Sequence, residues 1–308
     1  MRFAKLHGLG NSYIYIDLVT QSSPAIDWPA LARRVSDPGF GIGSDGLILI
    51  LPSDRADLRM RMFNADGSEG EMCGNGIRCL ARYAADSGLL QGDRLQVETL
   101  AGVLDLQLVR TDGEVTAVRV DMGRPRLRPA DLPMVLPGAH QAAHRDGKPG
   151  RPPAADEGPV LNEPLAVDGE VCHVTAVSMG NPHCVLFVDD VDAAPVRTLG
   201  PRLETHAAFP KGVNVEFIQV LDKNNLRMRV WERGSGETNA CGTGACASAV
   251  AAALLGFTDR RVTVHMPGGG LDIEWASNDR VYMTGPCEYI CTGELSGELL
   301  RAVTGARA

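Results

Sequence analysis

Apolar and polar residues alternate over many short stretches of the chain, the two-residue period of strands with one buried face. Residues 47–51, 97–108, 115–122, 171–177, 184–188, 214–220, 226–231 and 281–284 read as such strands. Two segments switch to the helical period. Over about 74–87, Ile77, Leu80, Ala81 and Ala84 recur at helical spacing before a stopping Gly88. Over about 242–255, a run of small apolar residues closes at Gly256. A third helix is expected over 29–35, with Asp27 as its cap. Many strands around few helices predict an α+β fold, mostly antiparallel, rather than a doubly wound sheet.

The pattern also repeats. Met72-Cys73-Gly74-Asn75-Gly76 is answered by Ala240-Cys241-Gly242-Thr243-Gly244 at an offset of 168 (241 − 73). Glu69 and Glu237 share that offset, and Gly10-Asn11 matches Gly180-Asn181 at 170. Three matches in one order predict two similar halves, each presenting a turn, a cysteine and a helix start. The halves are placed at 1–121 plus 287–308, carrying Cys73, and at 122–286, carrying Cys241. Residues 137–159 are rich in Pro, Gly and Ala without apolar periodicity and read as a mobile insertion.

Composition narrows the chemistry. With 30 basic and 38 acidic residues the net charge is −8, which argues against a nucleic-acid or anionic-membrane surface. The first residues lack the apolar core of a signal peptide, so a cytoplasmic protein is expected. The uncharged stretch 240–257 is too weakly apolar for a membrane span and reads as a buried helix. Eight cysteines without a Cys-x-x-Cys pair, and seven histidines without zinc-like spacing, predict free thiols and no structural metal. His140 and His144 are four apart, but in a segment of prolines and glycines. Cys79, Cys172, Cys184, Cys246, Cys287 and Cys291 are expected in the core. Gly41-Ile42-Gly43-Ser44-Asp45-Gly46 spells a dinucleotide fingerprint, yet a strand follows where that motif requires a helix. It is expected to be a turn.

A cysteine at a helix start sits among free N–H groups and the positive end of the dipole. That predicts a lowered thiol pKa and a ready carboxylate site. Two such units suit inversion of a C–H centre, with one thiolate removing a proton while the opposite thiol delivers another. Helix starts facing the substrate carboxylate can stabilise the carbanion between them.

On these residues the chain closely resembles the diaminopimelate epimerases. The match runs from Phe3 to Asn11, through Phe63-Asn64-Ala65-Asp66-Gly67-Ser68 and the Cys73 motif. It continues through Ser178 to His183, Val213-Asn214, Glu232-Arg233-Gly234, the Glu237 to Gly244 motif and Met283-Thr284-Gly285. The resemblance implies two pseudo-symmetric halves, each a curled sheet around a central helix, with the active site between them. It implies interconversion of L,L- and meso-diaminopimelate without pyridoxal phosphate or another cofactor, for lysine and peptidoglycan synthesis, in a homodimer. Cys73 and Cys241 then correspond to the acid/base pair. Gly74, Asn75, Gly242 and Thr243 correspond to the binders of the reacting carboxylate. Asn11, Asn64, Asn181, Asn214, Glu232 and Arg233 correspond to contacts with the rest of the substrate, and His183 and Glu232 also to tuners of the cysteines. Gly46 stands where some members carry Gln, so no contact is assigned to it. His7 is expected to support the first turn rather than react.

A proline or hydroxyproline racemase would use the same paired-cysteine logic, but Asn75 stands where a His is expected after Cys-Gly in that family. A carboxylate-base isomerase is disfavoured because both positions hold Cys. A thiol-based redox sensor or ligand-binding module would lack substrate-dependent exchange of a Cα proton.

Overall fold

Leu9 and Gly10 take positive φ, 58° and 82°, and turn strand β1 (Arg2–Gly8) back onto β2 (Asn11–Asp17). Helix α1 (Trp28–Ser36) then crosses to β3 (Gly46–Leu51), which pairs parallel to β2. Its cap is Asp27, whose side chain accepts from the Ala30 N–H at 3.0 Å. Strand β4 (Leu58–Asn64) returns antiparallel, and the short β5 (Glu69–Gly70) leads into helix α2 (Gly74–Asp86). That helix crosses to β6 (Arg94–Thr99), parallel to β4, and β7 (Gly102–Thr111) and β8 (Glu114–Asp121) complete an antiparallel run. Both parallel pairs need a crossover, and both crossovers contain a helix.

The second half repeats this wiring. Strands β9 (Glu163–Val167), β10 (Glu170–Ser178) and β11 (Pro182–Phe187) are followed by helix α3 (Val196–Glu204) and then β12 (Asn214–Val220), parallel to β11. Strands β13 (Asn225–Glu232) and β14 (Gly236–Thr238) lead into helix α4 (Gly242–Leu254). After it come β15 (Arg261–Met266), parallel to β13, and β16 (Gly269–Trp275). Thus β1, β2, β3, β4, β6 and β7 correspond in order and direction to β10, β11, β12, β13, β15 and β16. Strand β17 (Val281–Gly285) leads to β18 (Glu288–Glu294), which pairs with β1, and to helix α5 (Gly297–Val303).

These elements come from a computed structural model that describes residues 1–135 and 158–304. Two compact units are present, Met1–Asp121 with Thr284–Ala308, and Met122–Met283. The fold is α+β. Most of the insertion read from sequence, 137–157, lies outside the described residues, as do His140 and His144.

In each unit a central strand is buried on both faces. In β3, Leu47 and Leu49 meet Leu31, Ala32 and Val35 of α1, while Ile48 faces α2. In β12, Val215 and Phe217 share a core with Val196 and Leu203 of α3, while Glu216 faces α4. Ten of the thirteen residues of α4 are buried, which answers why a helix apolar all round sits among strands. No helix among the described residues is long and apolar enough to cross a membrane.

The structure corrects three expectations. Residues 97–108 are not one strand: Leu100 and Ala101 turn the chain, with Gly102 at φ 125°, so β6 and β7 form a hairpin. Helices α3 and α5 were absent from the sequence pattern. Cys291 is exposed rather than core, because it lies in β18, whose residues are almost all accessible; Cys172 is half-buried.

Candidate active site

Each central helix begins on a cysteine. Cys73 caps α2 with φ −132° and ψ 120°, and Cys241 caps α4 with φ −126° and ψ 108°. Both are extended residues at the point where the free N–H groups of a helix start converge. The glycine three residues later packs closely on a side chain of the strand beneath. A Cβ on Gly76 would lie 2.6 Å from Ile48 Cδ1, and one on Gly244 would lie 2.7 Å from Glu216 Oε1. Strands β3 and β12 therefore run directly under the two helix starts.

In the first unit the Cys73 Sγ accepts from the Gly76 N–H at 3.4 Å and donates to Asn11 Oδ1 at 3.4 Å. Asn75 Nδ2 donates to the same oxygen at 3.3 Å. Arg78 Nη2 donates to Asn75 Oδ1 at 2.9 Å, and Arg78 Nη1 donates to the Gly74 carbonyl at 3.0 Å. A guanidinium only donates, so both amides are fixed: Asn75 must offer its N–H₂ to Asn11, and Asn11 its oxygen to the thiol. Asn64, at the end of β4, turns its amide to Ser68, donating to Oγ at 3.0 Å.

In the second unit the Cys241 Sγ and Thr243 Oγ1 lie 3.6 Å apart. Asn181 Nδ2 donates to Thr243 Oγ1 at 3.2 Å, and Asn181 Oδ1 lies 3.0 Å from His183 Nε2. His183 Nδ1 lies 2.6 Å from Glu216 Oε1, both side chains being fully buried. Asn214 is bonded at both ends of its amide, donating to the Pro182 carbonyl and accepting from the Arg233 N–H at 2.9 Å. Glu232 accepts from the Thr238 hydroxyl, and Arg233 Nη1 donates to the Lys211 carbonyl. His7 Nδ1 accepts from the Gly10 N–H in the β1–β2 turn.

The thiol pKa values run against the expectation from the helix starts. Burial pushes Cys73 up, against lowering by the Gly76 N–H, the Tyr13 phenol, the Asn75 N–H and Arg78. Burial pushes Cys241 well up, with the charges of Glu232 and Glu216 adding to it and Thr243 and the Gly244 N–H opposing. The helix start favours the thiolate, but desolvation of a charge outweighs it.

The model of the diaminopimelate epimerase family matches residues 3–128 and 175–290. A diaminopimelate epimerase of Moorella thermoacetica is 55% identical over 96% of this chain and 99% of its own. One of Pelotomaculum thermopropionicum is 53% identical over 96% of this chain and 98% of its own. The chain belongs to the diaminopimelate epimerase family. It is an isomerase. Solved structures more distant in sequence share the fold: a phenazine biosynthesis protein of the PhzF family from Bacillus anthracis has a TM-score of 0.65 at 16% identity, covering 96% of this chain and 99% of its own. A probable proline racemase from Agrobacterium radiobacter has a TM-score of 0.64 at 13% identity, covering 96% and 93%.

Three residues of this family member near the cysteines escaped sequence reasoning: Tyr13, Arg78 and Glu216. Glu216 carried a readable signal, being a carboxylate among the apolar Val215, Phe217 and Ile218 of its strand. Arg78 breaks the repeat, since the matching position 246 holds Cys.

The buried thiols also set an alkaline limit on stability. Burial pushes Cys287 up to about 11 and raises Cys79, Cys184 and Cys241. Below about pH 8.5, where unfolded thiols ionise, both states hold these protons and the contribution is fully present. Above it the unfolded chain releases protons that the fold retains, so stability falls. The expected slope is about 1.4 kcal/mol per pH unit for each retained proton. Urea unfolding in reductant at pH 8 and pH 10.5 measures it; equal stability at both would contradict the burial effect.

Proposed function

We propose that this enzyme interconverts L,L- and meso-diaminopimelate without a cofactor, with the Cys73 and Cys241 thiols exchanging acid and base roles. The observation that carries this is the matched placement of the two cysteines. Each caps the central helix of its unit in the same extended conformation, above the same strand of the repeated sheet.

Epimerisation breaks a Cα–H bond on one face of the carbon and forms a new one on the other. A thiolate takes the first proton, the electron pair delocalises into the substrate carboxylate, and the second thiol supplies the new proton. The first cysteine ends as thiol and the second as thiolate, so the reverse reaction uses them in exchanged roles. The N–H groups at Gly74, Asn75, Gly242 and Thr243 are the donors for the developing charge. On the thiolate itself, the Gly76 N–H and Tyr13 act at Cys73, and Thr243 and the Gly244 N–H act at Cys241.

The distal end of diaminopimelate is a zwitterion, which Arg233, Glu232 and amides such as Asn64, Asn11 and Asn181 can match. Asn214 serves this set by holding the Arg233 backbone. His183 and Glu232 act on the cysteines. The resemblance further implies a homodimer in the cytoplasm, and sedimentation velocity checks the dimer.

Purified enzyme given L,L-diaminopimelate should form the meso isomer, followed by chiral chromatography, and should not turn over proline. Hydroxylamine treatment followed by dialysis removes pyridoxal phosphate and should leave the rate unchanged. Activity on proline instead, or loss of rate after that treatment, would refute the proposal.

A further inference from the structure

Glu216 has no counterpart in the first unit. By the offset of 168 that relates the cysteines, its position matches Ile48, and the strand pairing agrees: Tyr13 pairs with Gly46 in the first unit as His183 pairs with Asn214 in the second. Under one helix start the fold uses isoleucine, and under the other a carboxyl. The architecture therefore does not require an acid here, although its burial is costly. Glu216 is fully buried, and its Oε2 has no hydrogen-bond partner among the described residues.

From its Oε1 a continuous chain of hydrogen-bonding groups runs through His183, Asn181 and Thr243 to the Cys241 sulfur, at 2.6, 3.0, 3.2 and 3.6 Å. Such a chain has two directions. In one, His183 Nε2–H donates to Asn181 Oδ1, Asn181 Nδ2 donates to Thr243, and the Thr243 hydroxyl donates to sulfur. In the other, every amide and hydroxyl is reversed, His183 Nδ1–H donates to Glu216, and the thiol donates to Thr243.

The orphaned oxygen separates the two. In the reversed direction Oε1 accepts from His183, so the unpaired Oε2 is either a charged oxygen or a hydroxyl, each costly to bury without a partner. The forward direction allows Glu216 to hold a proton and donate it through Oε1 to His183 Nδ1, so that only a neutral carbonyl oxygen lacks a partner. We propose that Glu216 is a positioning residue that fixes this chain in the forward direction, so that Thr243 presents its hydroxyl proton to the Cys241 sulfur.

The surroundings agree. Burial raises the Glu216 pKa, the His183 ring opposes this, and the charge of Glu232 on β13 adds to the rise. A charge on Glu216 would raise Cys184 on β11 and Cys241 at the start of α4, the other titrating groups beside it, so a neutral Glu216 favours a thiolate at Cys241. The first unit supplies its cysteine differently. There the permanently charged Arg78 orients Asn75 and Asn11, and Tyr13 occupies the place of His183.

The inference rests on the proposed proton-transfer role of Cys241, but its test needs no turnover, so its failure is separate from a failure to epimerise diaminopimelate. In the ¹⁵N-histidine-labelled full chain, with His183 assigned by its loss in His183→Gln, ring-nitrogen shifts should show a proton on Nε2; a bare Nε2 would overturn the proposal, and this readout needs no Glu216 variant to fold. Iodoacetamide labelling of Cys241 at pH 8, read by peptide mass mapping, then tests the chain itself. Glu216→Leu should slow it about tenfold, the effect of one hydrogen bond to a charged group. Glu216→Gln, whose amide can donate to Nδ1 and keep the direction, should stay within about threefold. Equal slowing by both variants, or no slowing by Glu216→Leu, would overturn it.

Discussion

Cys73→Ala and Cys241→Ala should each lower epimerisation in both directions by at least about a thousandfold, since each removes the only acid or base proposed for one face. The partial reaction should survive. A Cys73→Ala variant keeps Cys241 and can still remove a proton from the isomer whose C–H bond points at it. A diaminopimelate analogue with a β leaving group reports that step, because the carbanion expels the group without needing a new proton. The two variants should therefore eliminate from opposite stereoisomers of the analogue. Serine at either position should be slow in both assays, because an alcohol is scarcely ionised near neutral pH. If both alanine variants preferred the same stereoisomer, one cysteine would have no part in the chemistry.

Arg78→Ala should destabilise the protein by about 3–5 kcal/mol. The side chain is fully buried, so its removal leaves a cavity and also strips donors from the Gly74 and Pro286 carbonyls and from Asn75. Arg78→Lys should recover less than half of this. The planar fork reaches Gly74 and Asn75 with its two terminal nitrogens while Nε faces Pro286, a spread that one ammonium does not cover. Chemical denaturation measures both variants; a loss below about 1 kcal/mol for Arg78→Ala would show that the buried guanidinium does not hold the start of α2.

Helix α2 was readable because its apolar positions keep helical spacing and Gly88 stops it, with φ 76°. Helix α3 was not, because its sequence argues against a helix at three points. Pro195 caps it without a side-chain bond and Pro201 lies inside it. Gly200 is there because a Cβ would lie 2.7 Å from Trp231. Tertiary packing overrides weak propensity at these positions. The cysteine pair stood out through the repeat, whereas Glu216 and Arg78 are residue types most often found at the surface. Their burial exists only once β12 and α2 are packed. The thiol pKa direction failed for the same reason: the helix start is visible in sequence, and the desolvation that outweighs it is not.

The central claim is that two different groups handle the proton on the two faces of one carbon. Protonated L,L-diaminopimelate turned over in deuterated water tests it, with products and remaining substrate analysed by mass spectrometry before a tenth of the substrate is converted. Two thiols, one taking the substrate proton and the other delivering a solvent-derived one, predict meso product carrying one deuterium at Cα while the remaining L,L substrate carries none. Product that retained the substrate's own proton, or substrate that gained deuterium as fast as product formed, would contradict it.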